Sequence, residues 1–332
     1  MIQKEISKLV QKQNLSLEEM EKVMNDIMEG RATGAQIAAF LVSLRLKGET
    51  IEEITACAKI MRSKAHTINP KVNFLVDTCG TGGDNSNTFN ISTAAAFVTA
   101  GAGAFVAKHG NKSVSSKCGS ADVLAALGVN VELTPMQVEK CIEEVGMGFM
   151  FAPIFHPAMK HTLSARKEIG IRTVFNILGP LTNPANAKSQ LMGVFNPELI
   201  TSMAEVLRNL GIKHAIVVHG DGLDEITICS LTKVCELKNN AIDSYEINPV
   251  DFGFRLSSLE EIKGGSPKEN AKIILDLLNG MKGAKRDIVI MNAGAALLAA
   301  GAAKNYKDGI ELAAYSIDSG KAMNVLKNLI KF

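Results

Sequence analysis

The sequence predicts an α/β protein in which a small N-terminal helical domain precedes a larger domain with a mostly parallel central sheet flanked by helices. The chain has 332 residues, 46% of them hydrophobic and 21% charged, which is enough apolar material for one or two packed cores. Its first 65 residues carry helical patterns alone, whereas from Phe74 onward short apolar runs alternate with Gly-rich turns and helical patterns. The first pattern predicts the helical domain, and the second predicts the sheet.

Three capping boxes begin the helices of the N-terminal segment. In each, a Ser or Thr stands three residues before a Glu or Gln and ahead of an apolar run with helical spacing: Ser16 and Glu19, Thr33 and Gln36, Thr50 and Glu53. The apolar stripes at residues 17–28 and 37–44 are typical of a packed core or a dimer face rather than of a cofactor site. Asn69-Pro70 then interrupts the helical pattern.

The α/β part is predicted from short apolar runs and the helical patterns between them. The predicted strands are residues 74–76, 105–107, 129–131, 191–194 and 215–218. The last helices are expected at about 267–280, 286–301 and 309–332. A pair of helical runs within 157–184 interrupts the strand rhythm, so we expect this stretch to fold onto the N-terminal helices. The predicted division is a helical domain of residues 1–70, joined by helices from about 157–184, and an α/β domain of residues 71–332.

Charge and cysteine content argue against several classes of function. Lys and Arg number 36 against 34 Asp and Glu, and a net charge of +2 gives no support to a broad nucleic-acid or membrane surface. The six cysteines form no CxxC pair, which suits reduced thiols and disfavours a zinc site. The first residues lack a basic-then-apolar signal pattern, and the longest apolar stretches are short and interrupted by Gly. We therefore expect a soluble, cytoplasmic protein.

A Gly-rich loop at residues 77–84 follows the first predicted strand, and Asn90-Ile91-Ser92-Thr93 then begins an Ala-rich helix. Glycines let backbone N–H groups approach an anion closely, and the helix N-terminus and two hydroxyls add further donors. The loop lacks the Lys-Ser/Thr of a Walker A motif and the GxGxxG spacing of a dinucleotide fold. The pattern indicates a phosphate or pyrophosphate site, the alternative being a tight turn between strand and helix.

A second loop of the same kind follows the next predicted strand. Lys108-His109-Gly110-Asn111 stands at the end of that strand, and residues 115–122 form a Ser- and Gly-containing loop that leads into a helix. A lysine beside such a loop indicates a second anion site, now with a full positive charge. Ligands of open α/β sheets bind beyond the carboxyl ends of the strands, so both loops are expected to face one cleft. His109 can equally well be structural or functional.

Two further segments carry charged residues after predicted elements. Asp224 and Glu225 follow the strand at 215–218, and adjacent carboxylates there suit Mg²⁺, the alternative being a solvated acidic turn. The two anion sites on the same sheet edge favour the metal. Arg166 and Arg172 precede a loop that contains Pro180 and Pro184. Either arginine can clamp a carboxylate through its planar fork, and the pattern alone does not choose between them.

These segments, taken in order, closely resemble the anthranilate phosphoribosyltransferase family, which has the nucleoside phosphorylase/phosphoribosyltransferase-like fold. The likeness runs over essentially the whole chain and rests on residues 80–84, 90–93, 108–111, 115–122, 166–173, 176–184 and 224–225. Asn85, Lys112 and Cys118 depart from the Gly, Arg and Ser that are common in the family. None of the three carries an expected chemical role.

The resemblance implies transfer of a phosphoribosyl group from phosphoribosyl pyrophosphate to anthranilate in tryptophan biosynthesis, with Mg²⁺, two ions being expected. The residues that would bind phosphoribosyl pyrophosphate are Gly80, Gly83, Asp84, Thr88, Asn90, Ile91, Ser92, Thr93, Lys108, Ser116 and Ser120. Those that would bind the metal are Ser92, Asp224 and Glu225. Anthranilate would lie against Gly80, Asn111 and Arg166, with His109 near its ring. His109, Asn111 and Arg166 would position the substrate, and no residue is expected to act as nucleophile, acid or base.

The resemblance also implies a homodimer formed through the N-terminal helices and a hinge between the helical and α/β parts. Two other functions remain open at this stage. A pyrimidine nucleoside phosphorylase would share the fold, but Arg166 and the loop at 176–184 favour the transferase. A nucleic-acid-binding relative without activity would need stacking residues or a basic face, and the chain has three tyrosines, no tryptophan and balanced charge.

Overall fold

The computed structural model describes residues 2–84, 86–113 and 117–332. Its α-helices are α1 (Gln3–Val10), α2 (Leu17–Met28), α3 (Gly34–Lys47), α4 (Ile51–Ser63), α5 (Ile91–Gly101), α6 (Ser120–Ala126), α7 (Pro135–Val145), α8 (Ala152–Phe155), α9 (Leu163–Ile169), α10 (Phe175–Leu178), α11 (Leu199–Asn209), α12 (Pro267–Leu278), α13 (Ala284–Ala300), α14 (Tyr306–Asp318) and α15 (Lys321–Lys331). Its strands are β1 (Leu75–Gly80), β2 (Phe105–Gly110), β3 (Met147–Phe151), β4 (Ser189–Gly193), β5 (His214–His219), β6 (Thr232–Lys238) and β7 (Ala241–Ile247). Short 3₁₀ helices complete these elements.

The seven strands found in the described ranges form one sheet in the order β3-β2-β1-β4-β5-β6-β7. The first five are parallel, and β6 and β7 add an antiparallel hairpin at the edge. The register pairs Gly80 at the end of β1 with Gly193 at the end of β4. The carboxyl ends of β1, β2, β4 and β5 therefore lie side by side, as the prediction of a mostly parallel sheet requires.

One predicted strand is absent, and one predicted helix is divided in two. Residues 129–131 form no strand in the structure. Val129 and Val131 are buried and alternate with exposed residues, but the place beside β2 is taken by β3, so the run at 129–131 has no strand to pair with. The C-terminal pattern is two helices, α14 and α15, because Gly320 adopts a positive φ of 74° and ends the first. Strands β3, β6 and β7 were not predicted.

The capping boxes predicted for α2, α3 and α4 are all present, each with reciprocal bonds between its Ser or Thr and its Glu or Gln. These helices pack with the segment that follows Pro157: α2 contacts the 3₁₀ helix at Pro157–Thr162, α3 contacts α9, and α4 contacts α10. Their buried side chains share one core with Met192, Val194 and Val217 of the sheet region. The helices at 157–184 thus lie between the N-terminal helices and the loops at the end of the sheet.

Helix α13 is buried along almost its whole length and contacts β1, β4 and β5. It also packs against α5 and α14, and Gly294 lies so close to Gly309 and Ile310 of α14 that a Cβ there would meet their backbone atoms. The helix therefore forms the centre of one layer on the sheet. None of the helices in the described ranges is long and apolar enough to cross a membrane.

Candidate active site

A cavity of about 590 Å³ lies at the carboxyl ends of the parallel strands. It is lined by every predicted site residue that the structure describes: Gly80, Gly83, Asp84, Thr88, Asn90, Ile91, Ser92, Thr93, Lys108, His109, Asn111, Ser120, Arg166, Asp224 and Glu225. Ser116 was also predicted and lies outside the described residues, as do Asn85 and Ser115. Residues from both anion loops, from the acidic segment and from α9 thus face a single space.

The Gly-rich loop after β1 is folded tightly against the acidic segment. The backbone N–H of Gly82 donates to Oδ2 of Asp224 at 2.6 Å. A Cβ at Gly80 would collide with the Asp224 carboxylate, so glycine is required for this approach. At the other side of the loop, Thr81 accepts a hydrogen bond from the Phe195 N–H at its Oγ1, 3.0 Å away. The loop is therefore hydrogen-bonded to Phe195 after β4 and to Asp224, whose carboxylate lies against the loop backbone.

Lys108 and Glu225 meet at the first turn of α5. The ammonium of Lys108 donates to the carbonyl of Thr78 at 2.5 Å and to Oγ of Ser92 at 3.3 Å, and its residue is only 1% exposed. The N–H of Ser92 donates to Oε1 of Glu225 at 3.0 Å. A cation, a hydroxyl and a carboxylate thus lie around a helix N-terminus, where N–H groups favour a bound anion.

The acidic groups are held where a cation would stabilise them. Burial raises the pKa of Asp224, and the nearby Asp84 charge raises it further. Burial also raises the pKa of Glu225, with Asp224 adding repulsion. Burial lowers the pKa of Lys108, an effect that the surrounding negative groups oppose. Two carboxylates close to this lysine gain from a divalent cation because it relieves their repulsion.

The donor set fits a hard cation such as Mg²⁺ better than a soft one. Carboxylate and hydroxyl oxygens of Asp224, Glu225 and Ser92 are hard ligands, and Mg²⁺ is commonly held by one or two carboxylates together with waters and phosphate oxygens. Over the described ranges, no three His, Cys, Asp or Glu side chains gather into a metal cluster. A metal here would therefore share its coordination with oxygens of an anionic ligand.

Two neutral histidines lie together on the cavity wall. Nδ1 of His109 is 3.2 Å from the carbonyl of Gly179, so this nitrogen must carry the proton. Nε2 of His109 is then an acceptor, and it is buried with no hydrogen-bond partner among residues 2–84, 86–113 and 117–332. The ring of His156 is 5.0 Å away, centroid to centroid, and within the same ranges its Nε2 is also buried without a partner. Burial and the neighbouring His156 lower the pKa of His109 to about 3, so it is an acceptor and not a charged group.

The structure separates the two arginines that the sequence left equal. Arg172 hydrogen-bonds to the carbonyl of Gly83, and its guanidinium lies 4.3 Å from the centroid of the Phe195 ring. Arg166 lies 5.1 Å from the Phe175 ring, and its guanidinium makes no hydrogen bond or ion pair with any of the described residues. Burial lowers the pKa of Arg166. Arg172 thus stabilises the Gly-rich loop, whereas Arg166 lines the cavity and makes no such bond to the described residues.

Comparison with known proteins places this geometry in a family. The helical-bundle domain of a glycosyl transferase family matches residues 3–65, and the a/b domain of the same family matches residues 73–323. The chain is 58% identical to the anthranilate phosphoribosyltransferase of Acetivibrio thermocellus over 100% of this chain and 96% of the relative, and 56% identical to that of Alkaliphilus metalliredigens over 100% and 98%. The chain belongs to the anthranilate phosphoribosyltransferase family.

Solved structures of this family have the same fold. The crystal structure of anthranilate phosphoribosyltransferase from Thermus thermophilus superposes with a TM-score of 0.94, at 43% identity and 98% coverage of each chain. The enzyme from Saccharomyces cerevisiae in complex with PRPP, which is phosphoribosyl pyrophosphate, and Mg gives a TM-score of 0.89 at 29% identity, covering 98% of this chain and 96% of that one. The predicted fold class, family and transferase activity are confirmed, and neither the phosphorylase nor the nucleic-acid alternative is favoured.

The sequence motifs did not include His156, which lines the cavity, or Asn292, which lies behind the acidic segment. His156 belongs to none of the sequence motifs, and only the folding of the chain brings it to the cavity wall. Asn292 is fully buried on α13 and bonds to both backbone groups of Ile226, next to Glu225: its Oδ1 accepts from the N–H at 3.0 Å, and its Nδ2 donates to the carbonyl at 2.8 Å. Its signal was present, since Asn292 is the one polar side chain in the apolar run of residues 288–300.

Proposed function

We propose that the residues of this cavity transfer the phosphoribosyl group of phosphoribosyl pyrophosphate to anthranilate, giving N-(5-phosphoribosyl)anthranilate and pyrophosphate in tryptophan biosynthesis. The observation that carries the proposal is the content of one cavity: two anion loops, a carboxylate pair and a partly buried arginine that has no acidic partner among the described residues. The anion loops suit a pyrophosphate, the carboxylates suit its metal, and the arginine suits the carboxylate of an aromatic acid.

The two loops would divide the phosphoribosyl pyrophosphate between them. Lys108, the first turn of α5 and the Ser92 and Thr93 hydroxyls would hold the pyrophosphate. Thr93 supports this role because its hydroxyl is buried in the cavity wall and has no hydrogen-bond partner in the part of the chain that the structure describes. The other proposed binding residues are Gly80, Gly83, Asp84, Thr88, Asn90, Ile91 and Ser120, together with Ser116, which lies outside the described residues.

We further propose that Asp224, Glu225 and Ser92 hold two Mg²⁺ ions. The carboxylates have different partners, the Gly82 N–H for Asp224 and the Ser92 N–H for Glu225, which gives each its own place on the cavity wall. The yeast relative solved with PRPP and Mg supports magnesium in this family. When bound, Mg²⁺ would neutralise charge on the departing pyrophosphate.

Anthranilate would bind with its carboxylate on Arg166 and beside Asn111 and Gly80. A yeast relative has been solved in complex with 4-fluoroanthranilate, which supports a site for this ring. The amino group of an aniline is neutral at pH 7, so it can attack without prior deprotonation. His109 Nε2 can accept a hydrogen bond from that amino group and so orient it.

The reaction would be a direct displacement. The bond between the anomeric carbon and the pyrophosphate oxygen breaks, the nitrogen of anthranilate bonds to that carbon, and the nitrogen then loses a proton to solvent water. Positive charge develops on the ribose as the first bond breaks, so the residues act by stabilising the leaving anion and by holding the nitrogen close. No covalent intermediate with the protein is proposed.

We also propose the assembly and organisation that the resemblance implied. The helical domain would comprise residues 1–70 with helices from about 157–184, the α/β domain residues 71–332, and a cytoplasmic homodimer would form through the N-terminal helices. Val10 on α1 and Leu46 on α3 are 69% and 77% exposed, and these two helices pack together, which supports an apolar face there. A Leu46→Glu variant should then sediment as a monomer.

The test of the activity follows anthranilate fluorescence with purified protein, phosphoribosyl pyrophosphate and Mg²⁺. Fluorescence should fall only when all components are present, and EDTA should abolish the loss. A folded protein that leaves the signal flat would contradict the proposal. Phosphorolysis of pyrimidine nucleosides, assayed in parallel with inorganic phosphate, should give no product.

A further inference from the structure

Asn270 on α12 is a buried polar residue that belongs to none of the motifs described above. It is 2% exposed, and its helix lies in the C-terminal third of the chain. Its Oδ1 accepts a hydrogen bond from the Gly265 N–H at 2.7 Å, and its Nδ2 donates to Oδ1 of Asn90 at 2.9 Å. Asn90 stands at the start of α5 and lines the cavity, but its side chain makes no capping bond to the helix.

The direction of this hydrogen-bond chain is determined at both ends by backbone groups. The Gly265 N–H can only donate, so Oδ1 of Asn270 must face it and Nδ2 must face Asn90. At the other end, Nδ2 of Asn90 donates to the Cys118 carbonyl at 3.1 Å, and a carbonyl can only accept. The Cys118 thiol also donates to Asn90 Oδ1, at 3.3 Å. The Asn90 amide therefore has one orientation, in which its Oδ1 accepts from Asn270 and Cys118 and its Nδ2 donates.

We propose that Asn270 is a positioning residue for phosphoribosyl pyrophosphate binding: it holds the Asn90 amide so that an N–H, and not a carbonyl oxygen, faces the anionic ligand. Nδ2 of Asn90 has two N–H groups, and Cys118 accepts one of them. The other is the donor that Asn90 can offer to a phosphate or a ribose hydroxyl. This inference rests on the proposed role of Asn90 in binding that substrate.

Backbone contacts attach the segment before Asn270 to the segment before Asn90. The Gly264 N–H donates to the Asn87 carbonyl at 2.9 Å, and Thr88 forms a bridge with Lys263. Gly264 is so close to Phe89 that a Cβ there would meet the Phe89 backbone. The start of α12 is thus attached to the segment that leads into α5, and the amide pair extends this attachment to Cys118 in the second anion loop.

Asn270→Asp tests the proposal with a nearly isosteric change. The ionised carboxylate of this variant accepts hydrogen bonds where the Asn270 amide donated one, so Asn90 must either face a repulsive oxygen or turn its own carbonyl toward the ligand. The KM for phosphoribosyl pyrophosphate should rise roughly 10- to 100-fold, the range for a misplaced hydrogen bond to a charged group. The KM for anthranilate should change little.

The pH dependence separates positioning from a merely structural role. A protonated carboxylic acid can donate as the amide does, so the ratio of the N270D KM to the wild-type KM should fall as pH is lowered from about 9 to about 6. Asn270→Ala introduces no titrating group, so it should raise the KM for phosphoribosyl pyrophosphate by a factor that does not vary with pH. Asn279→Asp adds the same charge at an exposed position at the end of α12 and should behave as wild type.

A double-mutant cycle with Asn90→Ala completes the test. In the N90A background, N270D or N270A should add less than about twofold to the KM for phosphoribosyl pyrophosphate, because the group they position is gone. Thermal melting identifies any variant that folds poorly. If N270D folds poorly, the cycle of N270A with N90A tests the inference in its place. If N90A raises this KM but Asn270 variants do not, or if their effects multiply with that of N90A, the inference is wrong and the proposed site stands. If N90A itself has no effect, the proposed role of Asn90 is wrong.

Discussion

Acidification should destabilise the protein through His109, and the size of the effect follows from its surroundings. The Nδ1–H of His109 donates to the Gly179 carbonyl, and Nε2 lies buried without a partner in the described part of the chain. Burial, with His156 beside it, lowers the pKa of His109 to about 3, against about 6.5 for an unperturbed histidine. Protonation would place an uncompensated charge in the cavity wall.

The magnitude comes from proton linkage. Between about pH 3 and about pH 6.5 the unfolded chain binds a proton at His109 that the folded protein does not, so the free energy of unfolding decreases as pH falls. Above about pH 6.5 His109 is neutral in both the folded and the unfolded protein, so it does not lower the free energy of unfolding there. One and a half pH units below that value, near pH 5, the loss is about 2 kcal/mol from this side chain, at about 1.4 kcal/mol per unit.

The assay compares urea unfolding of wild type and His109→Gln near pH 7 and near pH 5. Wild type should lose about 2 kcal/mol more than the variant between the two pH values, because glutamine does not titrate. His66→Gln makes the same change at an exposed position and shows the effect of removing a surface histidine. If wild type and H109Q lose the same free energy, His109 is not held neutral, and its proposed role as hydrogen-bond acceptor for the amino group is refuted.

The remaining predictions concern the kinetics of transfer. Arg166→Gln should raise the KM for anthranilate roughly 10- to 100-fold with a smaller change in kcat, because it removes the cation that faces the carboxylate. Arg172→Gln should instead raise the KM for phosphoribosyl pyrophosphate, since Arg172 bonds to the Gly83 carbonyl. The double change of Asp224 to Asn and Glu225 to Gln should depress kcat and increase the Mg²⁺ concentration needed for half-maximal rate. Steady-state kinetics with each substrate and with Mg²⁺ varied in turn measures all three.

Matched controls make these outcomes specific. Lys167→Gln removes an exposed positive charge beside Arg166 and should leave the KM for anthranilate unchanged. Equal effects of R166Q and K167Q would indicate a general electrostatic role and contradict the clamp. A raised anthranilate KM in R172Q with no change in R166Q would exchange the two arginines. An unaltered Mg²⁺ requirement in the Asp224 and Glu225 double variant would place the metal elsewhere.

Features that depend on nearby residues, or on a general rule of sheet architecture, were predictable from the sequence. Capping boxes depend on residues three apart, so they can be read without the fold. The convergence of the Gly-rich loop, Lys108 and Glu225 follows from the rule that parallel strands present their carboxyl ends on one edge. That rule required only the presence of the strands, and their precise limits did not matter.

Other features depend on partners that are distant along the chain. Residues 129–131 show strand-like alternation, but whether a strand forms depends on the place beside β2, which β3 occupies. The choice between Arg166 and Arg172 depends on the Gly83 carbonyl, 89 residues before Arg172. Asn270 bonds to a residue 180 positions earlier. Contacts of this length leave no periodicity in the sequence, so only the fold identifies them.

A single-turnover experiment tests direct transfer between two substrates in one cavity. Enzyme in excess is mixed with Mg²⁺ and phosphoribosyl pyrophosphate that carries its label in the pyrophosphate, with and without anthranilate. The displacement account predicts that labelled pyrophosphate is released only when anthranilate is present, at the rate at which the phosphoribosyl product forms. Release of one equivalent of pyrophosphate without anthranilate, with the ribosyl group retained on the protein, would contradict it.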